Sequence, residues 1–192
     1  PPAHVLRTFA PRYFKTVKTW VTVGKRWFWG GHTLADLRQV GETPFQVPDT
    51  QGDETAAILF TTGSTGPAKG VLYRHGNFNE QADELRDFYG IRPGEVDLAA
   101  FPLFALFNCS MGVTTVIPYM DATRPADVDP RNVVGAIRDW SATQAFGSPT
   151  YWNTVGRYCE QHDVKLPTLR RVLSAGAPVP PHVLRRMKAA IH

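Results

Sequence analysis

From about residue 54 the chain alternates short apolar runs with amphipathic helical patterns, and this alternation limits the fold more than any other feature. "AAILFTT" is a compact apolar run, and "NFNEQADELRDFYG" places Phe78, Ala82, Leu85 and Tyr89 on one helical face before Gly90. "VDLAAFPL" and "TTVIPYM" read as further strands. In "DPRNVVGAIRDW" Asp129 sits at the N-cap and Pro130 at the first helical position, with Val133, Val134 and Ile137 turned inward. "ATQAFG" (strand), "PTYWNTVGRYCEQH" (helix), "LRRVLSA" (strand) and "PPHVLRRMKAAIH" (helix) complete the series. The order predicts an α/β domain with a mainly parallel sheet flanked by helices. Ligands of such sheets bind at the carboxyl ends of the strands.

Residues 1–53 do not follow this rhythm. "GETPFQVPDTQGDE" is rich in turn formers and reads as the connection to the first sheet strand. The expected organisation is a basic, aromatic segment over 1–53 and a ligand-binding part over 54–192. Residues 1–38 carry Arg7, Arg12, Lys15, Lys18, Lys25, Arg26 and Arg38 against Asp36 alone, interleaved with Trp20, Trp27, Phe28 and Trp29. A solvated basic face with its aromatics turned to the core is the ordinary explanation. Peripheral contact with a lipid surface remains open, and nucleic acid is not an expected partner.

Of the 192 residues, 43% are hydrophobic and 20% charged, enough for a substantial core rather than a disordered chain. No apolar run approaches the roughly 18 residues of a bilayer span. Cys109 and Cys159 lack CxxC spacing and are expected as free thiols in a reducing, cytoplasmic setting. The histidines are scattered, so no protein metal site is expected. The first residue, Pro1, is no initiator Met, and His192 falls inside a helical pattern, so a piece of a longer protein is expected.

The chemistry concentrates in "FTTGSTGPAKGV", residues 60–71. Read as a loop from Thr61 to Gly70 between a strand and a helix, it lies where an α/β sheet binds its ligand. Gly63, Gly66 and Gly70 allow a tight backbone that brings N–H groups close to an anion. Thr61, Thr62, Ser64 and Thr65 add hydroxyl donors and Lys69 a full positive charge, so a polyphosphate is the expected guest. The P-loop pattern fails, because Lys69 is preceded by Ala68 and followed by Gly70 and Val71. The spacing of Gly63 and Gly66 is not a dinucleotide fingerprint either.

The same residues resemble the signature loop of the adenylate-forming superfamily, which includes acyl-CoA synthetases, luciferases and peptide-synthetase adenylation domains. One departure is Ala68 before the lysine, where the family has Pro; here Pro67 stands one place earlier. "FPLFALF" is similar to the family's Pro-Leu-Phe-His segment with Ala105 in place of His, and "LRRVLSAGAPVP" to its Gly-Gly-Ala-Pro segment with Ala175 in place of the first Gly. "KTWVTVGKRWFWGGHTLADL", "DLAAFPLFALF", "MDATRPADVDP" and "SAGAPVPP" look like the OleC-type β-lactone synthetases of olefin biosynthesis.

The resemblance implies ATP with Mg2+ as cofactors and a long-chain 2-alkyl-3-hydroxy fatty acid as substrate. That acid would become an acyl-adenylate, which its own 3-hydroxyl closes to a β-lactone. Thr61, Thr62, Gly63, Ser64, Thr65, Gly66 and Lys69 would hold phosphates, Lys69 and Thr61 in catalytic roles, and Gly176, Ala177 and Pro178 would border the adenine. Phe104, Phe107, Phe146, Gly147 and Tyr151 are the candidate acyl pocket, and His75 a structural hydrogen-bonding group. The Mg2+-binding acid, the ribose-binding Asp and a C-terminal lysine of the family are expected beyond His192, so these residues alone are expected to be inactive. A complex with other enzymes of olefin biosynthesis is compatible with this reading. Two others stay open: an acyl-CoA synthetase, which needs CoA, and a non-catalytic nucleotide- or lipid-binding module.

Overall fold

The computed structural model describes residues 2–41, 45–61 and 68–192. The chain divides into two compact units, residues 1–49 and 50–192.

The first unit holds α1 (Pro2–Phe9), the two-residue parallel pair β1 (Val21–Thr22) and β2 (His32–Thr33), and α2 (Leu34–Arg38). Thr33 opens α2 with a reciprocal cap: its hydroxyl accepts the Asp36 N–H, and the Asp36 carboxylate accepts the Thr33 N–H. Trp29 is buried, stacked on His4 at 5.2 Å between ring centres, and its indole N–H donates to Thr22 Oγ1 at 3.2 Å. The aromatics of this unit therefore divide, since Trp27 and Phe28 are exposed.

The second unit begins with β3 (Thr55–Thr61) and β4 (Lys69–Arg74), an antiparallel hairpin. This corrects the strand–loop–helix reading, because the helix does not follow the glycine-rich segment directly. Val71, Leu72 and Tyr73 extend as a strand that pairs with Leu59, Ile58 and Ala57. Only then does α3 (His75–Tyr89) start, with Asn77 Oδ1 accepting the Arg74 N–H at 2.9 Å. Gly90 closes α3.

Then come β5 (Val96–Ala99), β6 (Thr114–Val116), α4 (Pro130–Asp139), β7 (Gln144–Gly147), α5 (Pro149–Gln161), β8 (Arg171–Ser174) and α6 (Pro181–Ile191). The four strands β5 to β8 form a wholly parallel sheet in the order β6–β5–β7–β8. The run expected as one strand through Leu103 ends at Ala99. Pro102 starts a 3-10 turn to Phe107 because its ring removes a ladder donor and fixes φ.

Alternation along the strands divides the sheet into two faces. Leu98 and Ala145 share a core with Val133 and Ile137 of α4, Trp152 and Val155 of α5, and Val183 and Met187 of α6. A second, smaller core joins Ala82 of α3 to Ile91, Met111 and Val113, with Phe107 against it. Asp129 caps α4 through the Arg131 N–H at 2.9 Å, and Val133, Val134 and Ile137 are buried as expected. Both cysteines are free thiols, Cys109 exposed and Cys159 buried. Among the described residues no helix is long and apolar enough to cross a membrane.

Candidate functional site

Thr61 and Lys69 are register partners in the last pair of the β3–β4 ladder, which fixes the two residues opposite each other. Lys69 is exposed there. Thr62, Gly63, Ser64, Thr65 and Gly66 lie outside the described residues.

A small cavity of about 200 Å³ opens at the carboxyl ends of β5, β7 and β8, lined by Ala100, Phe101, Ala122, Pro125, Phe146, Ser148, Ala175 and Gly176. Gly176 has φ +95°, a left-handed conformation, and nothing lies within 4 Å of where its Cβ would be. Backbone at this point is accessible to a flat ligand. Ala177 and Pro178 follow it at the surface.

A second cavity, of about 660 Å³, lies between the sheet and α3 and is mostly apolar, with Leu85, Tyr89, Ile91, Phe107, Met111, Phe146 and Leu173 among its walls. Phe146 and Ala175 line both cavities and so form the wall they share. At the amino end of the strands the larger cavity is polar, through Asp97, Asn108 and Gln144. Asn108 Nδ2 donates to Asp97 Oδ2 at 2.7 Å. Burial pushes the Asp97 carboxyl above its ordinary range, and hydrogen bonds from Asn108 and Gln144 oppose that rise. Gln144 Oε1 accepts from Arg171 Nε at 3.2 Å, and Arg171 forms an ion pair with Glu95.

Of the candidate acyl-pocket residues, Phe107 and Phe146 meet at the larger cavity. Gly147 and Tyr151 lie instead where β7 enters α5. Tyr151 is fully buried in the core beneath the sheet, its ring packed so closely on Gly147 that a Cβ there would collide with it. Burial raises the pKa of its hydroxyl, which has no hydrogen-bond partner among the described residues. The side chain of Phe104 lies outside the description. His75 starts α3 and its N–H donates to the Glu54 carbonyl at 3.1 Å. Asp97, Asn108 and Gln144 were not legible in the sequence as a group, since register and folding back of the 3-10 turn bring them together. Among the described residues no group of three or more His, Cys, Asp or Glu side chains could hold a metal ion.

The family model described as AMP-binding enzyme matches residues 9–192. The chain is 48% identical over 172 residues to the olefin beta-lactone synthetase of Xanthomonas campestris pv. campestris, covering 89% of this chain. It is 45% identical to that of Stenotrophomonas maltophilia across 100% of this chain. It spans 30% and 34% of the length of these two relatives. Among solved structures, the anthranilate CoA ligase AuaEII in complex with anthranoyl-AMP has the same fold, with a TM-score of 0.76 and 18% identity over 97% of this chain and 37% of that one. The N-terminal domain of FACL13 from Mycobacterium tuberculosis, bound to an inhibitor, matches with a TM-score of 0.65 and 22% identity over 82% of this chain and 41% of that one. With the family model matching nearly its whole length, this chain belongs to the AMP-binding enzymes.

Proposed function

We propose that the chain is the nucleotide- and acid-binding part of an ATP-dependent, adenylate-forming β-lactone synthetase acting on a long-chain 2-alkyl-3-hydroxy fatty acid. The observation that carries this reading is the wall shared by two cavities at Phe146 and Ala175. The smaller cavity, beside open Gly176, suits a purine face, and the larger, apolar one suits an alkyl chain. An acyl-adenylate has these two parts joined at one carbonyl, which would lie at the shared wall.

In the first step a carboxylate oxygen bonds to the α-phosphorus of ATP while the bond to the β-phosphate oxygen breaks, releasing pyrophosphate. The protein's task is to align the two reactants and to balance charge on the phosphates. Lys69 and Thr61, at the hairpin mouth, serve the phosphates together with Thr62, Gly63, Ser64, Thr65 and Gly66. Gly176, Ala177 and Pro178 border the base. In the second step the 3-hydroxyl oxygen bonds to the acyl carbonyl carbon, the bond to AMP breaks, and the hydroxyl proton is released. Mg2+ belongs to this reading as the partner of the nucleotide's phosphates, where it would offset their charge; among the described residues no His, Cys, Asp or Glu cluster would hold it.

Similarity to two olefin beta-lactone synthetases supports lactone formation over the thioester chemistry named for more distant relatives. One of these is the long-chain-fatty-acid–CoA ligase of Thermus thermophilus, 28% identical over 160 residues and covering 81% of this chain. The test is product identification by mass spectrometry and NMR after full-length protein is incubated with Mg-ATP and a racemic 2-alkyl-3-hydroxy acid, with and without CoA. Lactone and AMP without CoA are expected. A product that requires CoA would replace the lactone reading with that of a thioester ligase.

A further inference from the structure

One register row crosses the parallel sheet beneath the larger cavity: Thr115 on β6, Asp97 on β5, Gln144 on β7 and Arg171 on β8. Register partners in a sheet face the same side, so these polar groups form a strip across the amino ends of the strands. The strip is held from within. Asn108 Nδ2 reaches both Asp97 Oδ2 at 2.7 Å and Thr115 Oγ1 at 2.9 Å, while Arg171 ties Gln144 to Glu95. Asp97, Asn108 and Gln144 are 6%, 3% and 3% exposed, yet each lines the cavity.

Two residues further along the strands the partners are Phe146 and Leu173, both apolar and both on the cavity wall. Two residues of strand are about 7 Å. An alkyl chain that starts at the Phe146–Ala175 wall and runs along the sheet therefore meets apolar surface first and the strip next. Methylenes pressed against the strip gain little, and pushing it aside would strip buried polar groups of their partners.

We propose that Asp97 and Gln144, held by Asn108, form the stop that limits the alkyl arm lying along the sheet, and so select acids by the length of that arm. This rests on the larger cavity being the acyl site. Arms longer than the stop permits must turn toward α3, past Leu85 and Tyr89.

The test uses full-length protein and a series of 3-hydroxy acids whose arm grows by one methylene at a time, with kcat/KM read from pyrophosphate release. The proteins are wild type, Gln144→Met, Asp97→Leu and Phe107→Ala. Gln144→Met nearly preserves volume and leaves the Asn108–Asp97 and Arg171–Glu95 contacts, so it carries the test even if Asp97→Leu folds poorly. Wild type is expected to stop gaining once the arm reaches the strip. In Gln144→Met the methylene that meets the strip should still gain, by up to about fourfold, which corresponds to about 0.8 kcal/mol for one buried CH2. General destabilisation lowers all rates together and leaves this ratio unmoved. Unchanged length profiles in both strip variants, with Phe107→Ala weakening every acid, would overturn the stop alone. A Phe107→Ala protein with wild-type KM for the acids would overturn the acyl cavity and the stop with it.

Discussion

Lys69 faces Thr61 across the last rung of the β3–β4 ladder, so the ammonium-bearing residue and the strand end that opens the glycine-rich segment are fixed to each other by backbone pairing. This relation explains how a segment of small residues can present a charge at a defined place. On the proposed reading, Lys69→Ala removes a preorganised charge from the phosphates and lowers kcat by about a hundred- to a thousandfold. Lys69 is exposed, so thermal unfolding should stay close to wild type. A variant that retains wild-type kcat would remove Lys69 from the phosphate site.

Gly176→Val tests the other side of the site. A β-branched residue at φ +95° is strained by about 1–3 kcal/mol, and its side chain would occupy the open approach to the smaller cavity. The affinity for AMP, measured by calorimetry on folded full-length protein, should fall at least tenfold. Unchanged affinity would place the nucleotide elsewhere.

Gly147→Ala should destabilise without touching either cavity. The added methyl enters the space of the Tyr151 ring, next to the Trp152 indole that donates to the Leu173 carbonyl at 3.0 Å. Overpacking of this kind costs about 1–3 kcal/mol. Urea denaturation of variant and wild type reads the loss directly, and an unchanged midpoint would show that the core there yields freely.

Asp97 makes stability depend on pH in a defined direction. Its carboxyl is raised in the folded state by burial, so the folded protein holds this proton more tightly than the unfolded chain does. The associated stability is fully present below the unfolded value near 3.8 and is lost as pH rises through the raised folded value. Asp97→Asn cannot ionise. The stability of Asp97→Asn relative to wild type should therefore increase over that window and then level off, as followed by denaturation at a series of pH values. A constant difference across the window would mean that burial does not raise the carboxyl.

Much of this architecture was readable from local signals. α4 was legible because Asp129, Pro130 and the inward spacing of Val133, Val134 and Ile137 agree within ten residues of helix. The strand β4 was not, since Lys69 and Gly70 continue the composition of the segment before them and only pairing with β3 makes the run extended. The two aromatics of the larger cavity, Phe107 and Phe146, were chosen from sequence, whereas Tyr151 is held in the core by the turn from β7 into α5. The strip of Asp97, Asn108 and Gln144 depends on contacts that no local pattern encodes. Asp97 and Asn108 are 11 residues apart, and Gln144 reaches Arg171 across 27.

Acid-dependent exchange of radiolabelled pyrophosphate into ATP, measured on full-length protein without CoA, tests adenylation at this site most directly. The account predicts exchange that requires the 3-hydroxy acid and collapses in Lys69→Ala. Exchange that is absent with the acid, or that persists undiminished in Lys69→Ala, would contradict it.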